Sequence, residues 1–261
     1  MKLLFVADPI ESFKTYKDTT YTMMREATRR GHAITVCEPR HLRWQSGQRV
    51  MAQVRDIALT GDEKNWFTES ARREAALADF DAVLMRKDPP FDAEFIYATH
   101  LLEQAEREGA RVFNKPAALR NHPEKLAIME WPQFIGPTLV TREAAAIRAF
   151  HAQHQDIILK PLDGMGGMGI FRVKADGLNL GSIIDTLNDG GRRTAMVQKF
   201  LPEIAQGNLL GYEFRHRQRQ TGSSQDQRHY VNRKHLGKKA VCFSSDVSHD
   251  QVLIDKTQEA V

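Results

Sequence analysis

Four glycines fall within the six residues that close the run Lys160-Pro-Leu-Asp-Gly-Met-Gly-Gly-Met-Gly169. A glycine has no Cβ to block close approach or a positive φ, so such a turn can aim several backbone N–H groups at phosphate oxygens. Lys160, at the end of the preceding apolar run, adds a mobile cation for the same charge. Gly164, Gly166 and Gly169 match the G-x-G-x-x-G spacing of a dinucleotide fingerprint, but that fingerprint opens a helix, whereas Ile170-Phe-Arg-Val173 is β-branched and aromatic. The context therefore predicts a hairpin whose tip covers phosphates, as flexible glycine loops do over nucleotides. In the competing reading, an ordinary hairpin with a surface lysine, each glycine weakens the turn by about 0.5–1 kcal/mol with no return in packing.

A second chemical feature is Met85-Arg-Lys-Asp-Pro-Pro-Phe-Asp92, which follows an apolar strand at the edge where open parallel sheets receive ligands. Arg86 offers a fork that matches a carboxylate, and the paired prolines stiffen the turn behind it. A stiff loop with solvated charges is the alternative. Lys17-Asp18, at the first strand-to-helix connection, faces the same edge; it either joins this site or only charges a helix start. His151 and His154 have no acidic or cysteine partner at ligand spacing and read as a solvated helix end. His229, His235, Cys242 and His249 are too widely spaced for a closed zinc site. The chain has no G-x-S-x-G, no H-E-x-x-H and no P-loop, since Gly237-Lys-Lys lacks both the upstream glycine and the Ser/Thr.

These groups need elements to hold them. Lys2 to Ala7 reads as a buried strand, Thr19 to Arg30 as a helix capped by Asp18 or Thr19, and Ala33 to Cys37 as a second strand. Phe80 to Met85, an Asp92-capped helix and Arg111 to Asn114 continue the alternation, which predicts a doubly wound parallel sheet over residues 1–120. Between Trp44 and Phe67, Val50, Val54 and Ile57 have the spacing of a short helix, with an excursion hairpin as the alternative. Residues 121–204 read as an α+β unit: a short helical stretch at Lys125 to Met129, strands at Thr138 to Thr141, Asp156 to Lys160, Ile170 to Val173 and Thr194 to Gln198, and helices at Glu143 to His154 and Ile183 to Leu187. Residues 205–261 hold seven Gln and four His with little apolar periodicity, so little stable structure is expected there beyond strand-like runs at Ala240 to Phe243 and Val252 to Ile254.

Composition narrows the classes. The chain has 261 residues, 41% hydrophobic and 27% charged, enough for one large or two ordinary domains with real cores. The net charge of +4 sits mostly in the tail: residues 1–204 carry 28 basic and 27 acidic side chains, without a basic stripe interleaved with aromatics, which excludes nucleic acid as the expected partner. No apolar run approaches the roughly 18 residues of a membrane helix, and Leu-Leu-Phe-Val-Ala7 is stopped by Asp8-Pro9 before it resembles a signal peptide. A cytoplasmic protein that meets no membrane is expected. Cys37 and Cys242 form no C-x-x-C pair or disulfide framework, suit a reducing compartment and read as inert.

Residues 1 to about 204 resemble the bacterial glutathione synthetases, a family of ATP-grasp ligases. The likeness is carried by Asp8-Pro9, Tyr16-Lys-Asp-Thr19, Met85 to Asp92 followed by Glu94-Phe-Ile-Tyr-Ala-Thr99, Asn114-Lys-Pro116, Glu124-Lys-Leu126, Asp156 to Gly167, and Gln198 ahead of Leu201-Pro202. The resemblance implies a substrate-binding domain over 1–120 and an ATP-grasp subdomain over 121–204. It further implies ATP gripped by Lys125 and Lys160, its phosphates under Gly164, Gly166, Gly167 and Gly169, and its adenine near Gln198, Lys199, Phe200 and Leu201. Arg86, with Lys17 and Asp18 beside it, would hold the carboxylates of γ-glutamylcysteine, whose cysteinyl carboxylate becomes an acyl phosphate before glycine attacks. Mg²⁺ is implied as well, but the acidic and asparagine ligands that the family carries in its terminal segment have no counterpart here, and 205–261 is unmatched. Two outcomes stand: a working ligase, or a non-catalytic relative that binds substrate or nucleotide weakly, with a frame change near codon 205 as one origin of the tail. Homo-oligomerisation is left open.

Overall fold

The computed structural model describes residues 1–62 and 64–203. The expectations for 205–261 lie outside the described residues. The chain divides into two compact units: residues 1–127 with 162–168, and, among the described residues, 128–161 with 169–203.

The first unit contains β1 (Lys2–Ala7), α1 (Thr19–Arg29), β2 (Ala33–Cys37), β3 (Leu42–Arg43), β4 (Met51–Leu59), β5 (Phe67–Glu69), β6 (Arg73–Ala76), β7 (Ala82–Arg86), α2 (Ala93–Arg107), β8 (Val112–Phe113) and α3 (Pro116–Asn121). The sheet runs β3-β4-β2-β1-β7-β8, with β5 and β6 also pairing to β4. The pairs β1–β2, β1–β7 and β7–β8 are parallel. Because successive side chains on a strand point to opposite faces, β1 feeds both sides of the sheet. Leu3 and Phe5 join Ile34, Val36 and Ala82 in one core with Met24 and Ala27 of α1. Leu4 and Val6 join Val83 and Met85 in the other with Ala98, Leu102 and Ala105 of α2. Helices thus cover both faces, the doubly wound arrangement that the alternation predicts. Asp18 and Asp92 each cap their helix, accepting the backbone N–H of Tyr21 at 2.8 Å and of Phe95 at 2.9 Å.

The helical spacing of Val50, Val54 and Ile57 is corrected by the structure: Val54 and Ile57 lie on a strand, β4, paired antiparallel with β2, β3, β5 and β6. Val50, Ala52 and Val54 sit in the α2-side core and Ile57 in the α1-side core. A strand buried first on one face and then on the other places its apolar residues an odd number apart, which imitates a helix's i, i+4, i+7.

Cys37 belongs to this core, and burial, with a smaller contribution from neighbouring Glu38, pushes its thiol up to about 12. Thiolate chemistry near neutrality is therefore suppressed. Iodoacetamide at pH 8 is expected to leave Cys37 unmodified in the native chain and to label it in urea, as read by peptide mass mapping; rapid native labelling would contradict this packing.

The second unit contains β9 (Thr138–Thr141), α4 (Ala144–His154), β10 (Ile157–Pro161), β11 (Phe171–Val173), α5 (Leu180–Asn188) and β12 (Ala195–Lys199). Its antiparallel sheet runs β11-β10-β12-β9. Ile157, Leu159, Val173, Ala195 and Val197 pack against Ile147 of α4 and Ile184 and Leu187 of α5. Their strand neighbours face the other side. His151 is not solvated, as its helix-end position suggests; it is buried, with Nε2 2.7 Å from the Lys174 carbonyl oxygen. No helix among the described residues is long and apolar enough to cross a membrane.

Candidate ligand and nucleotide site

In the first unit, β1 and β7 are parallel neighbours whose chains leave in opposite directions, β1 through α1 to β2 and β7 through α2 to β8. Ligands of open α/β sheets bind beyond the carboxyl ends of strands at such a reversal. Arg86 ends β7 beside Ala7, on the same face as Ala82 and Leu84, and therefore points toward α1. Its Nε donates to Thr20 Oγ1 at 3.2 Å and its Nη2 to Thr19 Oγ1 at 3.1 Å. Asp8, one residue past β1, accepts the Asp88 N–H at 2.8 Å and pairs with Lys87 Nζ at 2.8 Å, tying down the loop that follows Arg86. The guanidinium is thus half-buried and held in place by the two hydroxyls.

Lys17 is exposed at the start of α1, and the Asp18 oxygen that accepts Tyr21 N–H is engaged as a helix cap. Lys125 is 7% exposed, and its Nζ donates to the carbonyl of Gly164. The turn that carries it closes through Leu126 and Ala127 N–H groups on the Pro123 carbonyl, at 3.0 and 2.9 Å.

The glycine run is the tip of the β10–β11 hairpin, with Leu159 opposite Phe171. Gly166, Gly167 and Gly169 have φ of 62°, 76° and 72°, backbone that side chains with a Cβ adopt only under strain. At Gly169 a Cβ would also meet the stiff Pro161 ring, 3.2 Å from Cγ and 3.3 Å from Cδ, whereas at Gly166 it would meet nothing within 4 Å. Gly169→Ala should therefore cost more stability than Gly166→Ala, which carries only the backbone strain of roughly 1–2 kcal/mol. Urea denaturation checks the order; equal losses would contradict the contact.

In the second unit, Lys160 (6% exposed) and Met196 (1% exposed) face one another in register on β10 and β12, with Val140 next on β9. The adjacent row is Arg172, Ile158, Gln198 and Thr138, in which Gln198 Nε2 donates to Thr138 Oγ1 at 3.0 Å. All of these lie on the face away from α4 and α5. At the end of β12, Lys199 N–H donates to the Pro137 carbonyl at 3.0 Å and, one residue on, Phe200 N–H to the Asp156 carbonyl at 2.9 Å, which fixes the chain leading to Leu201. One sheet face so combines a buried ammonium, apolar surface and an amide, a set suited to an anion attached to a flat, partly apolar group.

Among the described residues no three His, Cys, Asp or Glu come together as a metal-binding group. The hydroxyls of Thr19 and Thr20 that accept from Arg86 leave one trace in the sequence, two threonines directly after a capping aspartate on a helix following the first strand.

Residues 1–120 match the family model of the prokaryotic glutathione synthetase N-terminal domain, and residues 124–209 that of the prokaryotic glutathione synthetase ATP-grasp domain. The glutathione synthetase of Ralstonia nicotianae is 55% identical over 208 residues, covering 80% of this chain and 64% of the relative. That of Bordetella parapertussis is 51% identical over 222 residues, covering 82% and 70%. That of Nitrosomonas europaea is 52% identical over 212 residues, covering 80% and 66%. The chain thus spans about two thirds of the length of these relatives. Among solved structures, the D-cycloserine synthetase DcsG is 18% identical with a TM-score of 0.51, covering 78% of this chain and 61% of that one, a likeness of fold.

Proposed function

Because the chain belongs to the prokaryotic glutathione synthetase family, we propose that its function is the ATP-dependent joining of γ-glutamylcysteine and glycine, with residues 1–203 supplying the groups that hold dipeptide and nucleotide. The cysteinyl carboxylate oxygen attacks the γ-phosphorus of ATP and ADP leaves. The glycine amine then attacks the acyl carbon, forming the amide as phosphate departs. Such transfer depends on positioning and on cations around the moving phosphoryl group. In this reading Lys125 and Lys160 neutralise phosphate oxygens, and the N–H groups of the Gly164 to Gly169 turn cradle them. Gln198 to Leu201 receives the base. Arg86, held by Thr19 and Thr20, orients a carboxylate of the dipeptide, with Lys17 at the same helix start. Magnesium accompanies ATP in the family by the resemblance of motifs, and among the described residues no three His, Cys, Asp or Glu come together to hold it. The reading places the reaction in the cytoplasm.

The observation that carries this reading is Lys125, a buried ammonium on a carbonyl of the glycine turn. A lysine is rarely buried without a partner of opposite charge or polar function, and here that partner is the turn itself. One observation favours a second reading, binding without turnover by residues 1–261: the family match ends at residue 209 and about a third of the Ralstonia nicotianae relative is left uncovered. Coupled ADP release, with glutathione identified by mass spectrometry, separates the two. Release that requires both γ-glutamylcysteine and glycine supports the ligase; saturable ATP binding without release supports the second reading; neither would remove both.

A further inference from the structure

Arg172 sits on β11, on the face of the second sheet that carries Lys160, Met196 and Gln198. Its Nε and Nη2 donate to the two carboxylate oxygens of Asp156 at 2.9 and 2.6 Å, a bidentate fork. The same guanidinium lies over the Phe200 ring, with its central carbon 3.4 Å from the ring centroid. Asp156 acts on Phe200 a second time through its main chain, accepting the Phe200 N–H at 2.9 Å. Phe200 is therefore gripped at its backbone by Asp156 and at its ring by the side chain that Asp156 orients. Both members are partly exposed, 41% and 34% by side chain, and a pair so placed contributes little to global stability. Its geometric effect is larger: a planar, bidentate guanidinium stacked on an aromatic ring fixes the direction in which the chain leaves β12. The Arg172 hydrogen bonds hold the Asp156 carboxyl below its ordinary range, so the pair stays charged through neutral pH and into mild acid.

We infer that Arg172 and Asp156 are positioning residues for the nucleotide base: by fixing Phe200 they set the course of the Lys199 to Leu201 segment against which the adenine of ATP rests. This rests on the reading that Gln198 to Leu201 receives the base. Arg172 touches no phosphate in this scheme, so its loss should weaken recognition of the base and leave recognition of the phosphate chain intact. A merely structural role would weaken both together.

The test is calorimetric titration of the full chain, wild type and Arg172→Gln, with ATP and separately with inorganic tripolyphosphate, magnesium being present throughout. The expected result is a fall of about threefold to tenfold in ATP affinity, the scale of a cation–π contact and the order it imposes, with tripolyphosphate affinity unchanged. Asp156→Asn, which keeps the shape of the side chain, serves in the same titrations should Arg172→Gln fail to fold, and the same selective loss is expected. Wild type that prefers ATP over tripolyphosphate, with variants that keep the full preference or lose both ligands equally, overturns the positioning role alone. Wild type that binds ATP no better than tripolyphosphate overturns the base-binding reading and the inference with it.

Discussion

Lys160→Ala is expected to weaken ATP binding by about 10- to 150-fold, the equivalent of roughly 1.5–3 kcal/mol for one charge-assisted contact to phosphate. Lys160 lies on core strand β10 and is 6% exposed, and its in-register neighbour Met196 is 1% exposed. Keeping a lysine there costs desolvation that a methionine of similar length would avoid. Lys160→Met is therefore the cleaner control, because it retains the stem packing while removing the charge. Both variants should lose ATP affinity, and Lys160→Met should keep its thermal midpoint within a few degrees. Unchanged affinity in a folded Lys160→Met protein would reduce the glycine turn to an ordinary hairpin.

Arg86→Ala is expected to lower γ-glutamylcysteine affinity by about 30- to 150-fold and to leave ATP binding alone, since a guanidinium that meets a carboxylate through two hydrogen bonds is worth about 2–3 kcal/mol. Thr20→Val tests the positioning of that guanidinium with less disturbance. Thr20 is 5% exposed, and valine keeps its branched shape while deleting the oxygen that accepts Arg86 Nε. A loss of about threefold to tenfold is expected, the scale of one hydrogen bond. Equilibrium dialysis with labelled dipeptide reads both. An Arg86→Ala protein that binds dipeptide as wild type does would place the dipeptide elsewhere.

The parts of the fold written in local pattern were legible in the sequence. Both helix caps could be read from an aspartate placed before an apolar-periodic run, at Asp18 and Asp92, and both accept the N–H groups expected of caps. The β-branched run after the glycine turn separates a hairpin from a dinucleotide fold, and β10 and β11 pair as that reading requires. What failed to show was whatever depends on two distant segments. Val54 and Ile57 look helical because one strand serves two cores, which no window of residues reveals. His151 looks solvated until the Lys174 carbonyl, 23 residues on, is placed against it. The hydroxyls that hold Arg86 lie 66 and 67 positions before it in the chain. Only the sheet's crossover brings them together.

Paired titrations of the 261-residue chain with ATP and with γ-glutamylcysteine, run on wild type, Lys160→Met and Arg86→Ala, test these assignments most directly. Saturable binding of both ligands to wild type is expected, with Lys160→Met losing only the nucleotide and Arg86→Ala only the dipeptide. Folded wild-type protein that binds neither ligand, or variants that weaken both ligands alike, would contradict the assignment of these residues to a glutathione-forming ligase.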